Sequence, residues 1–198
     1  MTDTTVPSFE PFDRFREILA EAEATGITDP NAMVVSSVDG EGQPSSRVVL
    51  LKGVDERGFV FYTNYQSRKG REILAHPKVS LSFFWRQLSK QVVVLGTAEQ
   101  VSDEEADAYF ASRHRTSQLG AWASQQSQVL SSRAHLLAEV AKLEARYLGR
   151  AIPRPPHWSG FRVIPHWIEI WIAGTFRLHD RTVYERAEDG WRVTKRYP

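Results

Sequence analysis

Residues 31–64, NAMVVSSVDGEGQPSSRVVLLKGVDERGFVFYTN, read as three strands broken by short turns. Valine, phenylalanine and tyrosine fill the runs, and Asp39-Gly40 and Glu56-Arg57-Gly58 supply the breaks. KVSLSFFW and QVVVLGTAEQV are two further β-rich runs joined by the polar residues 86–90, and residues 161–196 return to strands. Helical periodicity falls between these runs. Phe9, Phe12, Phe15, Ile18 and Leu19 form an apolar stripe on a helix ending near Gly26. SRKGREILAHP is a short helix stopped by Pro77. Ser102 and Glu105 make a capping box for a helix carrying Ala106, Tyr109 and Phe110. Residues 132–148 place Leu136, Leu137, Val140, Leu143 and Tyr147 on one helical face. No βαβ alternation appears. The predicted class is mainly β with α, an antiparallel sheet or barrel with peripheral helices rather than a doubly wound fold.

At 198 residues the chain suits one compact domain with a real core. Twenty-five basic and 24 acidic side chains leave a net charge of +1, which gives no reason to expect a nucleic-acid or membrane-surface partner. The absence of cysteine excludes disulfides, thiol nucleophiles and cysteine-ligated metal, and fits a cytoplasmic protein. The N-terminus lacks the pattern of a secretory signal, and no apolar run is long enough to span a bilayer. Residues 1–8 are expected to form a disordered tail. His76, His135, His157 and His166 show no metal-ligand spacing, so no metal site is expected.

SRKGRE at 67–72 departs from an ordinary helix start. Ser67 is a good N-cap, yet Arg68, Lys69 and Arg71 follow where the helix dipole favours acids. An anion, typically a phosphate, relieves that conflict, although a solvated basic turn fits the motif equally well. In SSRVVLLKG, Arg47 and Lys52 bracket the apolar residues 48–51, and regular strand alternation predicts them on opposite faces. Tyr109, Arg113 and Ser117 recur every four residues, which on a continuous helix aligns three donors suited to a phosphate ester. Alone, that motif reads as a helix C-terminus with favourable cations. Gln91 and the polar run SQQSQ at 124–128 offer amides for the edge of a heteroaromatic ring. FRLHDR at 176–181 follows the run Ile168-Glu169-Ile170-Trp171-Ile172 and reads as a solvated turn or a site wall.

Taken in order, RVVLLK, FYTN..SRKG, QVVVLG, YF.SR...SQ.GAW.S.QS, W.GFR, IE.W, RLHDR and a terminal W.V.....P resemble the pyridoxamine/pyridoxine 5′-phosphate oxidase family over residues 31–198. The resemblance implies a split β-barrel that binds FMN at a homodimer interface. It implies oxidation of pyridoxine and pyridoxamine 5′-phosphates to pyridoxal 5′-phosphate, with O2 as acceptor and H2O2 as product. Carried over residue by residue, the FMN contacts fall on Arg47, Val48, Val49, Leu50, Leu51, Lys52, Tyr62, Thr63, Arg68, Lys69, Gln91, Gln126, Ser127, Trp171 and Arg181. The substrate contacts fall on Lys52, Tyr109, Arg113, Ser117, Arg177 and His179. Arg177 and His179 are the implied catalytic pair, two apart on a strand and facing the substrate together, with Arg181 on the FMN side. Family members often carry an N-terminal arm rich in Arg and Tyr over the substrate; nothing before the first helix resembles it. A flavin oxidase of phenazine biosynthesis shares the FMN motifs, and the Tyr109–Arg113–Ser117 triad favours the vitamin B6 assignment over it. A non-catalytic FMN- or pyridoxal-phosphate-binding protein is the other alternative.

Overall fold

The structure, a computed structural model, describes residues 4–7 and 9–198. Ten strands form a sheet in which every pairing is antiparallel: β1 (Thr4–Val6), β2 (Ala32–Val38), β3 (Pro44–Leu50), β4 (Gly53–Asp55), β5 (Gly58–Asn64), β6 (Lys78–Trp85), β7 (Lys90–Gln100), β8 (Trp158–Ile172), β9 (Asp180–Ala187) and β10 (Gly190–Lys195). Five helices lie around it: α1 (Glu10–Ala24), α2 (Arg68–Ala75), α3 (Asp103–Ser112), α4 (Arg115–Ala123) and α5 (Arg133–Arg146). The mainly-β, antiparallel class with peripheral helices is therefore as predicted. Residues 31–64 hold one strand more than the three expected, because β4 makes a short hairpin with β5. Thr4–Val6, expected within a disordered tail, pairs with β10, while residues 1–3 and 8 of that expected tail lie outside the described residues. Among the described residues no helix is long and apolar enough to cross a membrane.

The main path runs β1-β10-β9-β8-β7-β6-β2-β3 and divides along β8, the architecture of a split barrel. One edge of β8 pairs with β7, whereas its other edge takes β5 along residues 158–163 and β9 along residues 167–172. The change of partner coincides with a register shift on β7 between Leu95 and Gly96, opposite Pro165. Proline has no N–H for a ladder bond, so a strand tolerates it at such an irregularity. A Cβ on Gly96 would approach the Ile164 carbonyl to 2.5 Å, so only glycine admits this crossing.

Pleating sends alternate residues of this sheet to opposite faces. Met33, Val35, Leu81, Phe83, Val92, Val94, Ile168 and Ile170 point inward and are buried. α1 closes this core, with Phe15 packing edge-on to Phe59 at 5.0 Å and Phe83 at 4.8 Å. Phe12 and Phe15 are fully buried, each burial stabilising by about 1.5–3 kcal/mol. Phe9 is exposed, so the stripe begins at Phe12. A second cluster of Phe110, Leu119, Ile152 and Trp158 lies under α3 to α5. On α5, Val140 and Leu143 pack against it while Leu137 faces outward.

The outward face of the sheet is not uniformly polar. Val48, Val34, Ser82, Val93 and Glu169 form one cross-strand row; Phe84, Gln91, Trp171 and Arg181 form the next. Val48 is 66% exposed and Phe84 60%.

Candidate functional site

An open cavity of about 870 Å³ lies between edge strand β3, β5, the start of α2, and the α3–α4 segment with the loop after it. Its base is organised by Ser67, the N-cap of α2, whose hydroxyl accepts from Gly70 N at 3.1 Å. A Cβ on Gly70 would collide with the Asn64 and Tyr65 carbonyls, so glycine lets the helix start press against the end of β5. Packing of Lys69 against β5 turns its side chain inward. Its ammonium donates to Thr63 Oγ1 (2.9 Å), Gln126 Oε1 (3.0 Å) and Ser67 Oγ (3.3 Å). All three acceptors are neutral, and Lys69 is only 8% exposed. Burial, reinforced by the charge of Arg47, pulls its pKa down to about 8. The next-door Arg68 N–H donates to Ser127 Oγ at 3.1 Å, drawing the loop after α4 onto the same helix end.

Behind Arg47 and Arg68 sits a buried carboxylate. Glu72 accepts from Ser37 Oγ (2.5 Å), Ser45 Oγ (2.7 Å) and Arg68 Nε (2.7 Å), with Arg47 at 3.4 Å. Burial raises its pKa, but these hydrogen bonds and the Arg47 charge outweigh it and hold the carboxyl at about 2. Arg71 turns away and donates to the Gln66 carbonyl.

On the other wall, Tyr62 stacks on Tyr109 with centroids 3.9 Å apart and on Trp158 at 5.4 Å. The Arg113 guanidinium lies 4.7 Å from the Trp158 ring centre and 5.6 Å from that of Phe110. Arg113 NH1 is buried without a hydrogen-bond partner, and burial pulls the group below its ordinary pKa. The expected continuous helix through Tyr109, Arg113 and Ser117 is broken here. Arg113 (ψ 149°) and His114 (ψ 138°) are extended, so α3 ends just before them and α4 begins just after. Gln118 Nε2 pins this break by donating to the Phe110 carbonyl at 2.8 Å. Tyr109, Arg113 and Ser117 nevertheless all line the cavity.

Arg47, Val48, Val49, Leu50, Lys52, Tyr62, Thr63, Arg68, Lys69, Gln126 and Ser127 line it as well. Arg47 and Lys52, expected on opposite faces, open onto the same cavity because β3 ends at Leu50 and strand alternation stops there. Leu51 is the exception within its run. Its side chain is in the core, and its N–H and carbonyl are taken by Asn31 at 2.9 and 2.8 Å. Trp158, Asn64 and Ser124 also line the cavity; the resemblance carries no contact onto them, although the motifs W.GFR, FYTN and GAW.S.QS contain them.

Five expected site residues lie elsewhere. Gln91, Trp171 and Arg181 are direct neighbours across β7, β8 and β9. They sit three to five strands from β3, about 14–24 Å at ordinary strand spacing. Arg181 forms a two-pronged pair with Glu169 (2.8 and 2.8 Å) and donates to the Tyr197 carbonyl at 2.9 Å. Arg177 and His179 are not two apart on a strand. Arg177 belongs to a 3₁₀ turn with positive φ at Phe176 (55°) and at Arg177 itself (63°), and β9 starts only at Asp180. The turn leaves Arg177 exposed beside Phe176, which is 94% exposed. His179 packs 4.6 Å from Trp171, and its Nδ1 accepts from Gly174 N at 3.2 Å, leaving the neutral ring's proton on Nε2.

Residues 19–147 match the pyridoxamine 5′-phosphate oxidase family, and residues 158–198 match the pyridoxine 5′-phosphate oxidase C-terminal dimerisation region. A Myxococcus xanthus protein named pyridoxine/pyridoxamine 5′-phosphate oxidase is 57% identical over 189 residues, spanning 96% of this chain and 92% of its own. One of the same name from Rhodospirillum rubrum is 54% identical over 194 residues, spanning 96% of each chain. Among solved structures, PhzG from Burkholderia lata 383, in complex with tetrahydrophenazine-1-carboxylic acid, superposes with a TM-score of 0.90 at 34% identity, over 100% of this chain and 99% of that one. An FMN-binding protein of Nostoc punctiforme shares the fold with a TM-score of 0.75 at 15% identity, over 93% of this chain and 97% of that one. The dimerisation region makes this chain a homodimer. Matches running almost end to end, with more than half the residues identical, leave one assignment: the chain belongs to the pyridoxamine 5′-phosphate oxidase family.

Proposed function

We propose that the chain is an FMN-dependent oxidase that converts pyridoxine 5′-phosphate and pyridoxamine 5′-phosphate to pyridoxal 5′-phosphate, with dioxygen as acceptor. The observation that carries this reading is one cavity with two cations short of anions. Lys69 is buried among neutral acceptors at a helix N-terminus, and Arg113 keeps a buried, unpartnered NH1 on the opposite wall. A buried charge without a partner is costly, so both positions are built for anions that come from outside.

The residues present fit FMN. The side chains of Lys69 and Arg68, at the N-terminus of α2, would hold its phosphate. β3 is an edge strand, so backbone groups along residues 47–50 face the cavity without a strand partner and suit the ring's mixed donors and acceptors. Bound FMN supplies the two-electron acceptor, regenerated by dioxygen with release of hydrogen peroxide. Tyr109, Arg113, Ser117 and Lys52 would bind the substrate phosphate, the stack of Tyr62 and Trp158 holding the first two in place.

The homodimer accounts for the five residues far from the cavity. A second copy packed on the partly apolar outward face would bring its Gln91, Trp171 and Arg181 row to the flavin edge. Its exposed Arg177 turn and His179 would then reach the substrate. There Arg177 would stabilise developing charge, and His179 would present its Nε2 proton. The cysteine-free composition fits work in the cytoplasm.

The test is spectroscopic. The purified protein should be yellow, and pyridoxine 5′-phosphate should bleach it anaerobically, with peroxide appearing on admission of air. Flavin binding without bleaching would make it a non-catalytic binder, and a chain that takes up no FMN would sink the proposal. The likeness to PhzG favours phenazine-type oxidation as a second reading. Turnover of pyridoxamine 5′-phosphate separates the two.

A further inference from the structure

We infer that Glu72 is a positioning residue for the flavin phosphate: its buried carboxylate locks Arg47 and Arg68, which come from different elements, into one preset cradle beside Lys69. The inference rests on the FMN reading above. Arg47 stands on β3 and Arg68 opens α2, and Glu72 bonds to both. Oε1 holds Arg68 Nε at 2.7 Å, and Arg68 also lines the cavity. Oε2 lies 3.4 Å from Arg47 NH2 and accepts from Ser37 and Ser45. The same two hydroxyls accept from Arg47, NH1 to Ser37 Oγ at 2.6 Å and NH2 to Ser45 Oγ. The Glu72 side chain is only 4% exposed, while that of Arg68 is 54% exposed, with its NH2 3.8 Å from Asp39.

Two physical consequences follow. Arg47, Arg68 and Lys69 repel one another before any ligand arrives, and the carboxylate between and behind the arginines offsets part of that repulsion. Long cationic side chains also lose rotamer freedom on binding an anion; here the loss is already taken in the free protein. Glu72 is absent from the cavity wall, so it acts through the arginines and not by touching the flavin. Its effect should therefore depend on the phosphate.

FMN and riboflavin differ only in that phosphate. The test measures the affinity of both for the deflavinated full-length dimer by flavin fluorescence quenching, in wild type, Glu72→Gln and Glu72→Asp. Aspartate keeps the charge but withdraws the carboxylate by one methylene. Both variants are expected to lose about tenfold or more for FMN, with riboflavin nearly unchanged. Equal losses for the two flavins would give Glu72 a merely structural part and overturn the inference. Wild-type behaviour of Glu72→Asp with tighter FMN in Glu72→Gln would reduce it to a charge offset, also overturning it. If neither variant folds, Ser37→Ala decides. Ser37 is fully buried, lies outside the cavity wall and bonds to both Glu72 and Arg47. Its loss should lower the FMN-to-riboflavin preference about threefold, and an unchanged preference overturns the inference. A wild-type chain that binds neither flavin sinks the cofactor reading and this inference together. A wild-type preference that every folded variant retains sinks this inference alone.

Discussion

Replacing Lys69 with methionine should strengthen the free protein and weaken its hold on FMN. In the free chain, burial and Arg47 bring the Lys69 pKa from 10.5 to about 8. That displacement corresponds to about 3 kcal/mol at 1.36 kcal/mol per unit, a ceiling because water in the open cavity screens it. Methionine removes this cost but leaves Thr63, Ser67 and Gln126 without their donor, which returns about 1 kcal/mol or more. The net gain is about 1–2 kcal/mol at pH 7, a rise in Tm of roughly 2–8 °C for the deflavinated protein. The sign with pH follows from the lowered folded pKa. Between about pH 8 and 10.5 the unfolded chain binds more protons, so wild-type stability gains from this group as pH rises through that window; Lys69→Met loses that gain. FMN affinity moves the other way. A charge-assisted hydrogen bond to phosphate is worth about 1.5–3 kcal/mol, so the variant should bind FMN about 10- to 150-fold more weakly. Wild-type affinity should likewise decline above pH 8. Calorimetric melts and flavin fluorescence titrations read the two effects. A destabilised Lys69→Met protein that bound FMN normally would refute the reasoning.

Arg113→Lys removes the fork that faces the cavity, and steady-state kinetics should show KM for pyridoxine 5′-phosphate rising about 10- to 100-fold with kcat little changed. Arg177→Ala should instead lower kcat; normal turnover would remove Arg177 from its role. Phe84→Glu puts a charge on the partly apolar outward face, and dissociation of the dimer into monomers, read by analytical ultracentrifugation, should accompany loss of FMN. Glu72 has a folded pKa of about 2 against an ordinary 4.5, so its contribution to stability is present above pH 4.5 and lost as pH falls from 4.5 to 2. Acid melts of Glu72→Gln should lack that part of the slope.

Local order was legible in the residues themselves. The capping serines 67, 102 and 132 all accept from the third residue beyond them, as their spacing foretells. The stripe from Phe12 to Ile18 buries its predicted face because helical periodicity is a property of near neighbours. The basic first turn of α2 stood out for the same reason, since cap, dipole and charge all lie within one turn, and it left an anion and a solvated basic turn equally open. The ordered motifs pointed to the family before any coordinate did.

The distribution of those residues between two places was decided by long-range pairing. Gln91, Trp171 and Arg181 become neighbours only through the registers of β7, β8 and β9, and those same registers hold them away from Lys69. The break at Arg113 depends on Gln118 capping α3 from α4, which no four-residue spacing encodes. The turn at Phe176 and Arg177 replaces an expected strand because the β8–β9 hairpin has to reverse there. Nothing in the helical pattern singles out Glu72; the packing of α2 on β2 sets it among Ser37, Ser45 and two arginines. Sequence determined which groups this protein owns and how each turn begins. Tertiary structure alone decided which of them share a cavity, because strand register and burial are set by residues far apart in the chain.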